Sequence, residues 1–346
     1  MKIKYAELSE IEKDLQTMFD ILIESNDLYL NVNLIRTYST FNKLLSRNNN
    51  LYVHNNQKLL NLIQERKTLQ EAKAEVIKSH SQKKENLRLY KKQYLQILKK
   101  YNKSLLQFAS QTQKLTNNSI VISEQELLTI LYLYYSTEDT NSLELLKSII
   151  VQGNILLYKE NNILGYALYG NGIVADKIAV NKDQEIGYTL NDALTIVHEI
   201  EHIRFLSTTG QNSTEKEKYT NNSYNIYNEV NTTITEKRFI HFLINNNILE
   251  EQARLLLIQH YNQIYIKNYK VIKGKLNYEY RIPDLYSSYI AEILLDKANY
   301  DYDQALNTSY TLISSNQKTK NPYEIVGSST SDMKKVLKRQ FQKIAN

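Results

Sequence analysis

The sequence predicts a mainly α-helical protein with one small β-sheet, and two observations lead to this prediction. The first glycine is Gly153 and the first proline is Pro283, so roughly the first 150 residues lack both residue types that most often end a helix. Between residues 155 and 180, in contrast, short apolar segments are separated by turn-forming residues, which is typical of a small sheet.

Apolar residues recur every three or four positions in the N-terminal part of the chain, which is the spacing of one face of a helix. Three such stripes comprise Ile11, Leu15, Met18, Phe19 and Leu22; Leu59, Leu62, Ile63, Leu69 and Val76; and Leu87, Tyr90, Tyr94, Ile97, Tyr101 and Phe108. Residues 57–108 have some coiled-coil character. We expect an antiparallel helical layer packed on the rest of the protein there, with a dedicated partner-binding coil as the alternative.

The pattern of the sequence changes after residue 150, so we assign residues 1–150 to an N-terminal helical region and residues 151–346 to a second region. Four segments of the second region have the pattern of short strands, namely Ile155–Tyr158, Leu164–Gly170, Ile173–Ala175 and Lys177–Val180. Thr189, with Asp192 three positions later, then predicts the start of a helix, because a hydroxyl and an acid at this spacing form a capping box. From residue 223 onward the apolar spacing is helical again.

The helix predicted after Thr189 carries the most informative motif of the chain, His198-Glu199-Ile200-Glu201-His202, which has the pattern HExxH. Positions i and i+4 of a helix lie about 40° apart, so both imidazoles point into one space and can share a zinc ion. Glu199 is one residue beyond the first His and can reach a zinc-activated water as a general base. The alternative is a helix whose solvated face carries these four polar residues by chance.

Composition limits the kind of site and the class of partner. The chain has no cysteine, which excludes thiolate ligands and leaves His, Asp and Glu for any metal. The formal charge of +6 is mild and its lysines form only short pairs, so we expect no nucleic-acid partner. The N-terminal residues lack the apolar core of a signal peptide, and no apolar run is long enough to cross a membrane. We therefore expect a cytoplasmic protein, with export by an unconventional route still open.

A catalytic zinc ion needs a third protein ligand, and the best acidic candidates downstream are Glu229 and Glu236. The two lie seven residues apart in a predicted helix and so share one face. A carboxylate from a neighbouring antiparallel helix is a sensible ligand, although both could also be ordinary solvated acids. His241 and His260 fall in apolar helical surroundings, and we expect them to pack rather than to bind metal.

Three segments resemble the oligoendopeptidase F and thimet oligopeptidase family of zinc peptidases, in the family's order. The first is residues 188–199, which end in the first two residues of the HExxH motif. The second is residues 229–236, in which a Glu is followed by a small hydroxyl residue and then by a second Glu. The third is residues 281–289, in which an Ile-Pro pair precedes two tyrosines. The resemblance covers roughly residues 150–330. It implies a helical zincin-type metallopeptidase with its small β-sheet beside the active-site helix, where a peptide could add as an extra strand.

The resemblance also implies roles for single residues. One zinc ion per chain would be held by His198, His202 and Glu229, with Glu199 as the base. Tyr286 and Tyr289 are the candidates to stabilise the oxyanion, and Glu236 and Asp192 would orient ligands. The chain departs from the family at Glu201, where a Gly is usual, and at Asp284, where one branch has a His.

We predict from these residues a zinc-dependent endopeptidase that hydrolyses oligopeptides bound in an extended conformation. Two alternatives stay open. One is a zinc protease that acts on one folded protein, as an effector or toxin does; it would share the metal site, so the motif does not separate the two. The other is a non-catalytic helical binding protein with a decayed site. The sequence does not indicate an oligomeric state.

Overall fold

A computed structural model of the chain describes residues 2–45, 51–78, 120–158, 165–170, 172–182, 187–210, 222–260 and 282–314. The chain is mainly helical with one small sheet, as predicted. It divides into two compact units that each combine distant segments of the sequence. The first unit comprises Met1–Gln82, Ser123–Gly187 and Leu206–Thr220, and the second comprises Lys83–Ile122, Tyr188–Phe205 and Asn221–Asn346. A regional boundary at residue 150 stays a prediction.

The first unit contains five labelled helices and the sheet. The helices are α1 (Leu8–Glu24), α2 (Leu28–Leu45), α3 (Leu51–Glu65), α4 (Glu124–Ser136) and α5 (Thr140–Val151), and residues 67–78 are also helical. The stripe predicted on α1 is confirmed, because Ile11, Leu15, Met18 and Leu22 are buried in one core with residues of α2 and α3. The stripe predicted between Leu87 and Phe108 lies outside the described residues.

The sheet has three short strands, β1 (Ile155–Tyr158), β2 (Gly165–Leu168) and β3 (Lys177–Asn181). Their order is β1-β3-β2, with β1 and β3 parallel and β2 and β3 antiparallel. The prediction of a strand at Ile173–Ala175 is wrong. The N–H groups of Ile173 and Val174 both donate to the carbonyl of Gly170, so a local turn occupies the donors that a sheet ladder would need.

A glycine makes the sharp turn from α5 into β1. Gly153 has a φ of +82°, and the N–H of Asn154 donates to the carbonyl of Ile149 across 3.1 Å, which is the Schellman ending of a helix. On β3, the central strand of the sheet, the buried Lys177 pairs with Asp14 of α1 at 2.5 Å. This ion pair joins β3 to the first helix.

The described part of the second unit consists mainly of helices. They are the first sixteen residues of α6 (Leu190–Gly210), followed by α7 (Asn222–Asn245), α8 (Ile282–Lys297) and α9 (Tyr302–Ser314), and residues 250–260 are also helical. The capping box predicted at the start of α6 is confirmed: the N–H and hydroxyl of Thr189 donate to Asp192, and the N–H of Asp192 donates back to the hydroxyl of Thr189.

Helix α7 is the centre of the second unit, since it packs against both α8 and α9. Lys237 of α7 and Glu292 of α8 form an ion pair in which both side chains are almost completely buried. Breaking such a pair would leave one uncompensated charge in the interior, so it ties the two helices together. Among the described residues, no helix combines the length and the apolar character needed to cross a membrane.

Candidate metal centre

His198 and His202 lie side by side on α6, as positions i and i+4 of a helix require. Their Nε2 atoms are 3.0 Å apart, and the two rings are nearly perpendicular, with centroids separated by 4.6 Å. Both imidazoles therefore present the same nitrogen to one shared point.

The other nitrogen of each ring is held by a side chain of α7. His198 Nδ1 lies 2.9 Å from Glu236 Oε1, and His202 Nδ1 lies 2.9 Å from Asn228 Oδ1. Both partners are oxygen acceptors, so each Nδ1 is assigned the proton and each neutral ring directs the lone pair of Nε2 outward. Two lone pairs that face one another at 3.0 Å need a cation or a proton between them.

The electrostatics of His198 agree with this geometry. Burial by itself lowers the pKa of the imidazole, but the charge and hydrogen bond of the Glu236 carboxylate, together with the charges of Glu199 and Glu229, outweigh burial. The pKa of His198 is thereby raised from its ordinary 6.5 to about 10. In the metal-free protein at neutral pH, His198 thus carries a second proton, which can lie between its Nε2 and that of His202.

Glu199 completes a compact group with the two histidines. One ligand atom of each of these three residues lies within 4.8 Å of the other two. Glu199 is only 5% exposed, and within the described part of the chain its carboxylate has no hydrogen-bond donor. Burial raises the pKa of Glu199, His198 and His202 oppose this rise, and the charges of nearby acids support it. The result is a buried carboxylate next to both imidazoles.

Glu229 lies beside this group on α7. Its Oε1 is 3.7 Å from His202 Nε2, while its backbone carbonyl accepts the hydroxyls of Thr232 and Thr233 at 2.9 and 2.8 Å. The side chain is about one-third exposed, so it can still shift toward the imidazoles. The structure thus brings together four of the residues to which the sequence assigned site roles, His198, Glu199, His202 and Glu229.

These donors fit a zinc ion. Zinc in proteins takes imidazole nitrogen and carboxylate oxygen, and its histidine ligands usually donate their other N–H to an oxygen acceptor. Both features are present, because Glu236 and Asn228 hold the Nδ1 atoms. Asn228 was missed by the sequence interpretation. A signal was available, because each zinc-binding histidine usually has its own acceptor. Two histidines therefore predict a second polar residue on α7 in addition to Glu236.

The remaining candidates are placed as follows. Asp192, expected to orient a ligand, binds Thr189 at the start of α6. Tyr286 and Tyr289 belong to α8. The side chains of both tyrosines and of Asp284 lie outside the part of the chain that the structure describes. The oxyanion role of the tyrosines therefore stays a prediction.

Glu201, the residue of the motif where the family usually has Gly, is buried in a polar network. Its Oε1 accepts the hydroxyl of Tyr310 at 2.9 Å and its Oε2 lies 2.9 Å from Arg204 Nε. The ring of Tyr310 stacks on Phe205 with centroids 5.9 Å apart. Burial raises the pKa of Tyr310, so its hydroxyl keeps its proton and donates. The larger side chain is therefore accommodated by a contact with α9.

Comparison with known proteins supports the fold. No model of a known protein family matches the chain, and no curated protein matches it. The chain is similar to the crystal structure of a Bacillus anthracis str. Ames protein that carries the provisional name oligoendopeptidase F. The likeness has a TM-score of 0.53 at 12% identity and covers 99% of this chain and 71% of that one. The chain has a helical zincin-like fold. At 12% identity, this similarity shows the fold but not the activity, which depends on the residues of the site.

Proposed function

We propose that the protein is a zinc-dependent endopeptidase that hydrolyses peptide bonds of oligopeptides. The observation that carries the proposal is the convergence of two anchored imidazoles with one buried carboxylate that has no hydrogen-bond donor among the described residues. Two anchored imidazoles are what a zinc ligand pair needs, and an unengaged carboxylate next to them is what a general base needs.

The metal would be held by His198, His202 and Glu229, with Glu236 and Asn228 fixing the two rings. A zinc ion bound there would supply a water with its pKa lowered to about 7 and would polarise the scissile carbonyl. The charge set supports this assignment, because the carboxylates around His198 that raise its pKa favour any cation at the same place.

Glu199 would take the proton of the attacking water and then deliver it to the amine that leaves. Its burial supports this role, since a carboxylate whose pKa is raised by burial is a stronger base than an exposed one and can hold the proton until it is passed on. Tyr286 and Tyr289 are proposed, from the family resemblance, to hydrogen-bond the oxyanion. The provisional name of the structurally similar protein supports a peptide as the substrate.

The proposal is tested by elemental analysis of the purified protein together with cleavage of a quenched-peptide library. We expect about one zinc per chain and peptide hydrolysis that a chelator abolishes and added zinc restores. Intact folded proteins assayed in parallel separate an oligopeptidase from a protease that acts on one folded target. A protein that takes up no zinc when offered it, and cleaves no peptide, would contradict the proposal.

A further inference from the structure

The carboxylate of Glu236 lies between two imidazoles. Its Oε1 is 2.9 Å from His198 Nδ1, and its Oε2 is 3.5 Å from His260 Nδ1. The three residues come from three elements, α6, α7 and the helical residues 250–260. A carboxylate that meets an imidazole on each oxygen has its rotation restricted from both sides.

All three side chains are mostly buried, with exposures of 24% for His198, 17% for Glu236 and 11% for His260. Away from water, a charged carboxylate depends on the donors around it for solvation, so each contact has a larger effect than on the surface. His260 is the more deeply buried of the two imidazoles. Its contact with Oε2 is therefore well shielded from competition by water.

We propose that His260 is a positioning residue of the metal centre and acts through Glu236. It holds Oε2, so that Oε1 stays directed at His198 Nδ1 and the Nε2 of His198 stays directed at the shared point. This inference rests on the proposed function, because it assigns His260 a role toward the zinc ion. It adds a role to His260, which the sequence predicts to pack rather than to bind metal.

His241 of the same unit contacts an aromatic ring. It lies on α7 together with Glu236, and its ring meets Tyr302 with centroids 5.9 Å apart and planes tilted by 40°. His260, by contrast, places its Nδ1 against the carboxylate of Glu236, which in turn contacts His198, a candidate zinc ligand. His241 is thus a matched control for substitutions of His260.

The test is the zinc affinity of the full chain, measured by competition with a chromogenic chelator at constant pH. We expect His260→Ala to weaken zinc binding about 10- to 100-fold, as loss of a group that orients a ligand does. His260→Asn places an amide N–H near the position of Nδ1 and should recover most of that loss. His241→Ala should bind zinc as wild type does.

A double variant tests whether His260 acts through Glu236. In a Glu236→Ala background, His260→Ala should weaken zinc binding no further, because the connecting carboxylate is gone. Equal weakening by His260→Ala and His260→Asn, or losses that add in the double variant, would overturn the proposal and indicate a purely structural role. Circular dichroism and thermal unfolding of each variant show whether it has folded.

Failure of this inference differs from failure of the proposed function. If wild type binds zinc and Glu236→Ala weakens it but His260→Ala does not, only the role of His260 is overturned. If wild type binds no zinc, the proposed function fails and the role of His260 fails with it.

Discussion

Glu199 and Glu201 lie two residues apart on α6, and both are almost completely buried, with exposures of 5% and 2%. Their surroundings differ. The Glu201 carboxylate meets a hydroxyl and a guanidinium, from Tyr310 and Arg204. The Glu199 carboxylate meets two imidazoles that belong to a candidate metal site, and burial raises its pKa.

The difference separates a structural acid from a reactive one. Burying a carboxylate is costly unless it is paired and hydrogen-bonded, and the contacts of Glu201 satisfy that requirement within the protein. Glu199 lacks such contacts among the described residues, so its charged form is held less firmly and its proton can move. Perturbed groups of this kind are concentrated at functional sites.

The largest effect should come from removing the carboxylate of Glu199. We expect Glu199→Gln to bind zinc as wild type does but to lose about 100- to 10,000-fold in kcat for a quenched peptide, because the amide cannot accept the proton. Zinc content and steady-state kinetics measure the two quantities. Glu201→Gln is the matched control and should keep most of the activity. Wild-type turnover in Glu199→Gln would remove Glu199 from the mechanism.

The comparison extends to the metal through Glu229, which is the candidate third ligand on α7. We expect Glu229→Ala to weaken zinc binding by more than the 10- to 100-fold that loss of an orienting group causes, since a direct ligand disappears. Chelator competition gives the affinity. Glu251, an exposed acid on the helical residues 250–260, provides the control substitution Glu251→Ala. Equal affinities of these two variants would exclude Glu229 as a ligand.

Titration sharpens the comparison, because His198 carries a proton that zinc must displace. Its pKa in the folded, metal-free protein is about 10 against an ordinary 6.5, so the proton is held throughout the neutral range. Zinc affinity should therefore rise about tenfold per pH unit between pH 7 and 9, with release of about one proton per ion. Calorimetry in buffers of different ionisation enthalpy counts the protons. An affinity that does not change with pH would contradict this electrostatic description of His198.

The same raised pKa has a consequence for stability. A group that binds its proton more tightly when folded stabilises the fold below the unfolded pKa, and this contribution is lost as pH rises through the folded pKa. His198 should thus stabilise the metal-free protein fully below about pH 6.5 and no longer above about pH 10. His198→Gln should remove that part of the pH dependence of urea unfolding.

The smallest effect on the metal should come from Glu201. We expect Glu201→Ala to lower the free energy of unfolding by about 1–3 kcal/mol, because the Tyr310 hydroxyl loses its acceptor and Arg204 loses its counter-charge. Tyr310→Phe should cost less, about 1 kcal/mol, since Arg204 still faces the carboxylate. Urea unfolding measures both. If either variant loses zinc while remaining folded, Glu201 belongs to the metal site after all.

Much of the fold could be predicted because it depends on local rules. The stripe on α1 and the capping box of α6 each depend on residues spaced three or four positions apart, and both are confirmed. The wrong strand at Ile173–Ala175 has a local cause as well. An apolar segment of three residues does not distinguish a strand from a turn, and hydrogen bonds to the carbonyl of Gly170 decided for the turn.

The site was predictable only in part. Spacing along α6 placed His198 and His202 together, because helix geometry leaves little freedom at i and i+4. The contact of Glu201 with Tyr310 was not predictable, since Tyr310 follows it by 109 residues and nothing local indicates their contact. The contact of His260 with Glu236 was missed for the same reason, because it depends on which helices pack together.

The order of the contacts between α6 and α7 limits insertions and deletions between residues 228 and 236 of α7. His198 meets Glu236 and His202 meets Asn228, so the two helices run in opposite directions and each ring matches a fixed register position. A residue inserted between Thr232 and Thr233 would rotate Glu236 by about 100° relative to Asn228 and move it by about 1.5 Å along the axis. One anchor would then miss its ring. Changes of length are therefore excluded between residues 228 and 236.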